Sequence, residues 1–237
     1  MKGKIGDITW ILPDKDELGG NPFYKSPDSR NTIERLFEMN NINNAMEPMY
    51  GHTGVSFNAD DMGIVKMLDP WTTKCPKCDG IKTNISFLKE NKLGLFGRSA
   101  DCMLLGIVSQ DTVQLLHVSL EALNNGILLN LPLSSNKVSY SAILGPCISK
   151  SNYSIFGKEY IESRTRNFDA LGYSRYTEYI GEHLYIDIRG IVKNTLKSLN
   201  IRIEYSDERC TYEYDELGSN RREKDCDLRH DNVILLC

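Results

Sequence analysis

"SADCMLLGIVSQDTVQLLHVS", residues 99–119, holds two short apolar runs separated by a polar turn. A cysteine, Cys102, opens the first run, and a histidine, His117, closes the second. Runs of this length bounded by turn residues predict two strands, and Ser109-Gln110-Asp111 predicts the turn of an antiparallel hairpin. Pairing the arms symmetrically places Cys102 opposite a residue between 117 and 119. Directly opposed side chains of an antiparallel pair have Cβ atoms roughly 4.5–5.5 Å apart. That spacing suits two ligands on one zinc ion, or a thiol hydrogen-bonded to an imidazole. It equally suits a buried small thiol and a satisfied polar group at a strand end. The hairpin alone leaves these readings open.

Further strands are predicted at "LGLFGR" before the hairpin, and at "VSYSAILG", "IRIEYSD" and "NVILLC" after it. "RNTIERLFEMNN" repeats apolar residues at helical spacing through Ile33, Leu36 and Phe37, with Asp28 or Ser29 placed to cap it. "IFGKEYIESRTRNF" and "IDIRGIVKNTLKSLN" also read as helices, the second capped by Asp187 and burying Ile191, Val192, Leu196 and Leu199. Residues 40–79 carry a weak pattern marked by loop signals. Strands interleaved with helices indicate an α/β or α+β fold, and without a repeat or linker the chain reads as one domain, 1–237.

The composition is that of a globular chain, with 41% hydrophobic and 25% charged residues. A net charge of -4 argues against nucleic-acid or membrane adhesion, which draw on a basic excess. No apolar run reaches the roughly 18 residues of a membrane span, and the acidic "PDKDELGG" interrupts any export signal, so a cytoplasmic location is expected. Seven cysteines, an odd number, point in a reducing compartment to thiols, metal ligands or a nucleophile rather than disulfides. "CPKC" at 75–78 has no second close pair to complete a structural zinc site and reads as a loop turn.

Six segments in order then raise the functional reading: "CDGIKTN", "GRSADCMLLGIV", "LLHVS", "AILGPCISKSNYSIFGKEY", "LYIDIRGIVKNTLKSLNI" and "ERCTYEYDELGSNRREKDCDLRHDNVILL". Together they resemble the YfiH-like family, also called the laccase-domain or multicopper polyphenol oxidase family. The resemblance spans residues 79–235, with a looser match at "GGNPFYKS" and the helix after it. It implies a four-layer α/β/β/α sandwich of the YfiH-like type. It also implies a zinc site of His52, Cys102 and His117, with Cys102 and His117 as the catalytic pair. Two histidines and one cysteine leave the fourth tetrahedral position open, as catalytic zinc requires. The substrate expected from the resemblance is a purine nucleoside, cleaved by phosphate or deaminated at adenosine. Arg221, Arg222 and Arg229 correspond to the family's C-terminal arginines and are the candidates for holding phosphate. Asp101 precedes the cysteine and reads as a carboxylate that supports the site rather than a ligand.

The chain also departs from the family. After the strand histidine the family carries Ala-Gly-Trp-Arg-Gly, whereas this chain has Val118, Ser119, Leu120, Glu121 and Ala122. The family's Thr-Arg-x-Gly-Gly turn becomes Asp16-Glu17-Leu18-Gly19-Gly20. Two positive charges and an aromatic wall are thereby lost. Two rival readings follow: a metal-free cysteine hydrolase using Cys102 and His117 on a cell-wall precursor, and a non-catalytic homologue acting as a binding protein. Small molecules are the expected partners, and the expected state is a monomer or small homo-oligomer.

Overall fold

A computed structural model describes residues 1–22, 26–48, 50, 54–58, 77–129, 131, 138–223 and 231–237. Two large sheets lie face to face. The first has the order β1 (Lys2–Ile5), β2 (Ile8–Ile11), β14 (Asn232–Leu236), β6 (Leu93–Ser99), β3 (Asn44–Met46). The second has the order β13 (Arg202–Ser206), β9 (Ser141–Leu144), β7 (Met103–Val108), β8 (Thr112–Val118), β5 (Gly80–Asn84), β4 (Ser56–Asn58). Between them sits a core built from alternate residues of both: Trp10, Leu95, Ile234 and Leu236 from one side, Leu104, Val113, Leu115 and Ile143 from the other.

Helices cover the two outer faces. Helix α2 (Ser29–Met39) lays Ile33, Leu36 and Phe37 on the back of the first sheet, against Phe96, Val233 and Leu235. Helices α4 (Leu120–Asn124), α5 (Lys158–Thr165) and α6 (Ile188–Ser198) cover the back of the second, where Met103, Leu105 and Leu116 meet Ile161, Ile191 and Leu196. The layers therefore run helix, sheet, sheet, helix, as the resemblance implies. Two short helices complete the set: α1 (Lys15–Leu18), and α3 (Ile85–Asn91), which places Ile85 and Leu88 in the intersheet core. A small sheet of β10 (Ser154–Phe156), β12 (His183–Ile186) and β11 (Thr177–Ile180) adds Ile155 and Leu184 to the core under the last helices.

This layering explains why β7 reads as an unbroken apolar run. Every one of its six positions is buried, because a sheet covers one face and helices the other. Burying each such Leu, Ile or Val stabilises the fold by roughly 1.5–3 kcal/mol. Asp187 caps α6 as expected, its Oδ1 accepting from the Gly190 amide at 2.8 Å. Asp28 occupies the N-cap position of α2, but its carboxylate accepts from the Asn21 amide and the Ser26 hydroxyl instead. The stretch expected to be helical from Ile155 onward begins as strand β10, because Ile155 pairs with Leu184, and turns helical only after Gly157. Among the described residues no helix is long and apolar enough to cross a membrane.

Candidate functional site

The hairpin forms with its tip at Gln110 and Asp111, closed by the Ser109 amide donating to the Thr112 carbonyl at 2.8 Å. The register then pairs Met103 with Val118 and Leu104 with His117. Continued one step, it sets Cys102 opposite Ser119 and diagonal to His117, on the same face. Diagonal neighbours lie roughly 7–8 Å apart, still within reach of longer side chains. Cys102 is half-buried and His117 buried. Just before the strand, Asp101 holds a left-handed backbone at φ +83°. The chain thus turns a corner, so the simple alternation expected for Asp101 does not apply there. The corner is pinned by the Ser99 hydroxyl donating to the Cys102 carbonyl at 2.8 Å.

His117 is held from two directions. Its ring stacks on Tyr50, with centroids 4.0 Å apart and planes at 21°. Its amide donates to the Asp79 carbonyl at 2.7 Å, and the Asp79 carboxylate accepts from the Gly54 amide at 2.8 Å. Tyr50 is fixed in turn, its hydroxyl accepting from the Arg98 amide at 3.0 Å. The Arg98 guanidinium grips Glu47 with two bonds of 2.7 Å, and its third nitrogen donates to the Pro22 carbonyl. Burial pushes the Glu47 carboxyl above its ordinary range despite the Arg98 charge, and pushes the Tyr50 phenol well up, so Tyr50 is a neutral stacking surface.

Cys102 is flanked by the C-terminal loop. Asp101 joins the two: its Oδ1 accepts from the Thr211 hydroxyl at 2.7 Å and its Oδ2 from the Arg221 amide at 2.9 Å. The Arg221 guanidinium lies over the Tyr153 ring at 4.9 Å and donates to the Ser154 carbonyl at 2.7 Å. Burial, and then the proximity of Cys102, raise the Tyr153 phenol pKa far above its usual value, keeping this hydroxyl protonated beside the thiol. Arg222 has a different task. Its guanidinium donates to the carbonyls of Thr211, Tyr212, Tyr214 and Leu217 and to Glu223, which staples the loop together. A guanidinium so engaged has few donors left for phosphate, whereas Arg221 keeps part of its fork.

His52 and Arg229 lie outside the described residues, as does Cys75 of the CPKC turn, while Cys78 is packed in the intersheet core. Among the described residues no three His, Cys, Asp or Glu side chains gather to hold a metal. Cys147 is buried and its thiol pushed up to about 12, which removes it as a nucleophile. Sequence reasoning missed Glu47, Tyr50, Asp79 and Arg98. Asp79 and Arg98 lie in the matching "CDGIKTN" and "GRSADCMLLGIV" segments and so carried a signal; Glu47 and Tyr50 act across about 50 residues and carried none.

Residues 31–236 match the family described as multi-copper polyphenol oxidoreductase laccase. Three solved structures share the fold. Protein NMB0706 of Neisseria meningitidis is 17% identical with a TM-score of 0.75, over 100% of this chain and 97% of that one. The hypothetical protein YfiH of Bacillus licheniformis is 15% identical with a TM-score of 0.76, over 97% and 92%. YlmD of Geobacillus stearothermophilus is 16% identical with a TM-score of 0.70, over 97% and 90%. No curated protein matches the chain. With the family match over most of its length and the layered fold in place, the chain belongs to the YfiH-like, laccase-domain family.

Proposed function

We propose that the protein is a zinc-dependent enzyme acting on purine nucleosides, cleaving them with phosphate or deaminating adenosine, with the metal held by His52, Cys102 and His117. One observation carries the ligand set. Tyr50, two residues before His52, stacks on His117, and Gly54, two residues after it, is bonded to Asp79, whose carbonyl takes the His117 amide. The described residues that flank His52 in the sequence, Tyr50 and Gly54, thus both reach groups that touch His117, which supports His52 as the third ligand. The diagonal offset between Cys102 and His117 also favours an ion between sulfur and imidazole over a direct thiol–imidazole contact.

The donor set of one thiolate and two imidazoles fits zinc, which when bound supplies a water ionised near neutrality in its open fourth position. The chain's own groups do the rest. Tyr50 holds the His117 ring flat against its face, and Asp101 holds the Cys102 corner against the C-terminal loop. Arg221, braced on Tyr153, is the cation placed to meet phosphate beside the sugar. Tyr153, kept neutral by burial, offers a hydrogen-bond donor on the cysteine side rather than a transferable proton.

The test is a panel of adenosine, inosine and guanosine, with and without phosphate, on zinc-loaded protein. The expected result is free base that depends on phosphate, or inosine from adenosine, lost in Cys102→Ser. Equal turnover in Cys102→Ser and the parent, or none in the zinc-loaded parent, overturns the proposal.

A further inference from the structure

Two buried cysteines take no part in the site above, yet the fold sets them side by side. Cys147 lies just past the end of β9 and Cys210 just past the end of β13, and the two residues pair across a parallel bridge. The Thr211 amide closes the bridge by donating to the Cys147 carbonyl at 3.3 Å. Neighbouring strands run about 4.7–4.9 Å apart, and residues paired directly across them point to one face. That spacing lies inside the roughly 4.4–6.8 Å between Cα atoms that a disulfide spans. Both thiols are free.

The two sulfurs are equipped differently. Cys210 Sγ accepts from the Ser149 amide at 3.2 Å and from the Asn152 side-chain amide at 3.5 Å, and the backbone amides of Tyr212 and Glu213 add to this cradle. Burial alone raises the Cys210 thiol, but the donors together bring it below its ordinary value, because each bonds the charged form better than the neutral one. Asn152, half-buried, also donates to the carboxylate of exposed Glu213 at 2.5 Å, so the Cys210 sulfur lies one side chain below the surface. Cys147 has no such cradle. Beside it stands Arg189, whose guanidinium donates to the carbonyls of Cys147, Glu208 and Arg209 and whose charge partly offsets the burial of the Cys147 thiol.

We propose that Cys210 and Cys147 are a peroxide-responsive dithiol that closes to a disulfide on oxidation. In the first step the Cys210 thiolate attacks one oxygen of hydrogen peroxide: the S–O bond forms, the O–O bond breaks and hydroxide leaves. Cys210 is then a sulfenic acid. In the second step the Cys147 sulfur bonds to the Cys210 sulfur as the S–O bond breaks, and the Cys147 proton leaves with that hydroxide as water. Two electrons pass from the thiol pair to one peroxide. Burial removes Cys147 as the starting nucleophile, so the order of steps is fixed, and Arg189 offsets the charge on its sulfur as the proton departs. Thr211, the residue after Cys210, donates to Asp101 beside Cys102, so the new bond ties the C-terminal loop to the end of β9 at the edge of the candidate site. The dithiol stands whether or not the zinc reading does.

The test is hydrogen peroxide added to the reduced full chain, followed by mass spectrometry of peptides cut without reduction. The expected product is one peptide pair joined through Cys147 and Cys210, two hydrogens lighter than the sum of its parts and separated again by dithiothreitol. In Cys147→Ala the reaction should stop at a Cys210 sulfenic acid, which dimedone traps; in Cys210→Ala, Cys147 should remain a thiol. The map of the parent needs no variant, so a variant that fails to fold leaves the test standing. Both thiols still open to alkylation in the unfolded chain after excess peroxide, or dimedone on Cys147 in Cys210→Ala, overturns the proposal. The bond should form equally in Cys102→Ser, and a bond that needs Cys102 overturns it too. A protein that closes the bond but turns over no nucleoside sinks the enzymatic reading and leaves the dithiol intact.

Discussion

The two flanks of the Cys102–His117 pair are held by carboxylates used in opposite ways. On the histidine side Glu47 is buried against a full charge, Arg98, and burial still raises its pKa. On the cysteine side Asp101 is buried against neutral donors, a hydroxyl and a backbone amide. The first arrangement is rigid because both charges are costly to leave alone in the interior, so the pair cannot open. The second is a joint between two chain segments, 110 and 120 residues apart in sequence. The histidine flank thus orients a ring from behind, through Tyr50, while the cysteine flank sets where the loop bearing Arg221 sits.

The sharpest way to break this contrast is to strip one charge. Arg98→Met leaves Glu47 buried and uncompensated and should cost about 3–5 kcal/mol, read as a large fall in the urea midpoint. Replacing both residues, Arg98→Met with Glu47→Leu, should recover much of that loss, since no charge is then stranded. On the other flank Asp101→Ala removes two acceptors and leaves a residue with a Cβ at φ +83°. It should cost about 2–4 kcal/mol. Asp101→Asn, which tolerates that backbone and keeps one acceptor, should cost nearer ~1 kcal/mol. Equal losses for the two would mean that neither the retained acceptor nor tolerance of that backbone holds the corner. A similarly small effect, about 1–2 kcal/mol, is expected at Tyr50→Phe, which keeps the stack on His117 and metal binding but strands the Arg98 amide. Tyr50→Ala should weaken metal binding as well.

How much of this was legible depended on how far each interaction reaches. Strands β7 and β8 were read correctly because layers on both faces force continuous apolar runs, and Asp187 was read as a cap because its partner, Gly190, is three residues away. For Cys102 the expected partner range, 117 to 119, includes Ser119, the residue that the register continued by one step sets opposite it. The hairpin tip is two residues long, Gln110 and Asp111, and that detail turns a facing pair into a diagonal one. Strand β10 read as helix because its strand character comes from pairing with β12, 29 residues away, rather than from its own three residues. The Glu47–Arg98–Tyr50 support was invisible for the same reason: Arg98 meets its partners across 51 and 48 residues. Arg222 matched a motif, but a motif does not tell an arginine that binds ligand from one that binds carbonyls.

The central claim is that His52, Cys102 and His117 form one metal site despite the altered surroundings. Metal analysis of the purified protein, after zinc-replete expression, tests it most directly when set beside Cys102→Ser, His117→Ala and His52→Ala. The prediction is about one zinc per chain in the parent, and loss of it in all three variants while their melting stays cooperative. A parent without zinc, or a His52→Ala protein that keeps its full complement, would contradict the account.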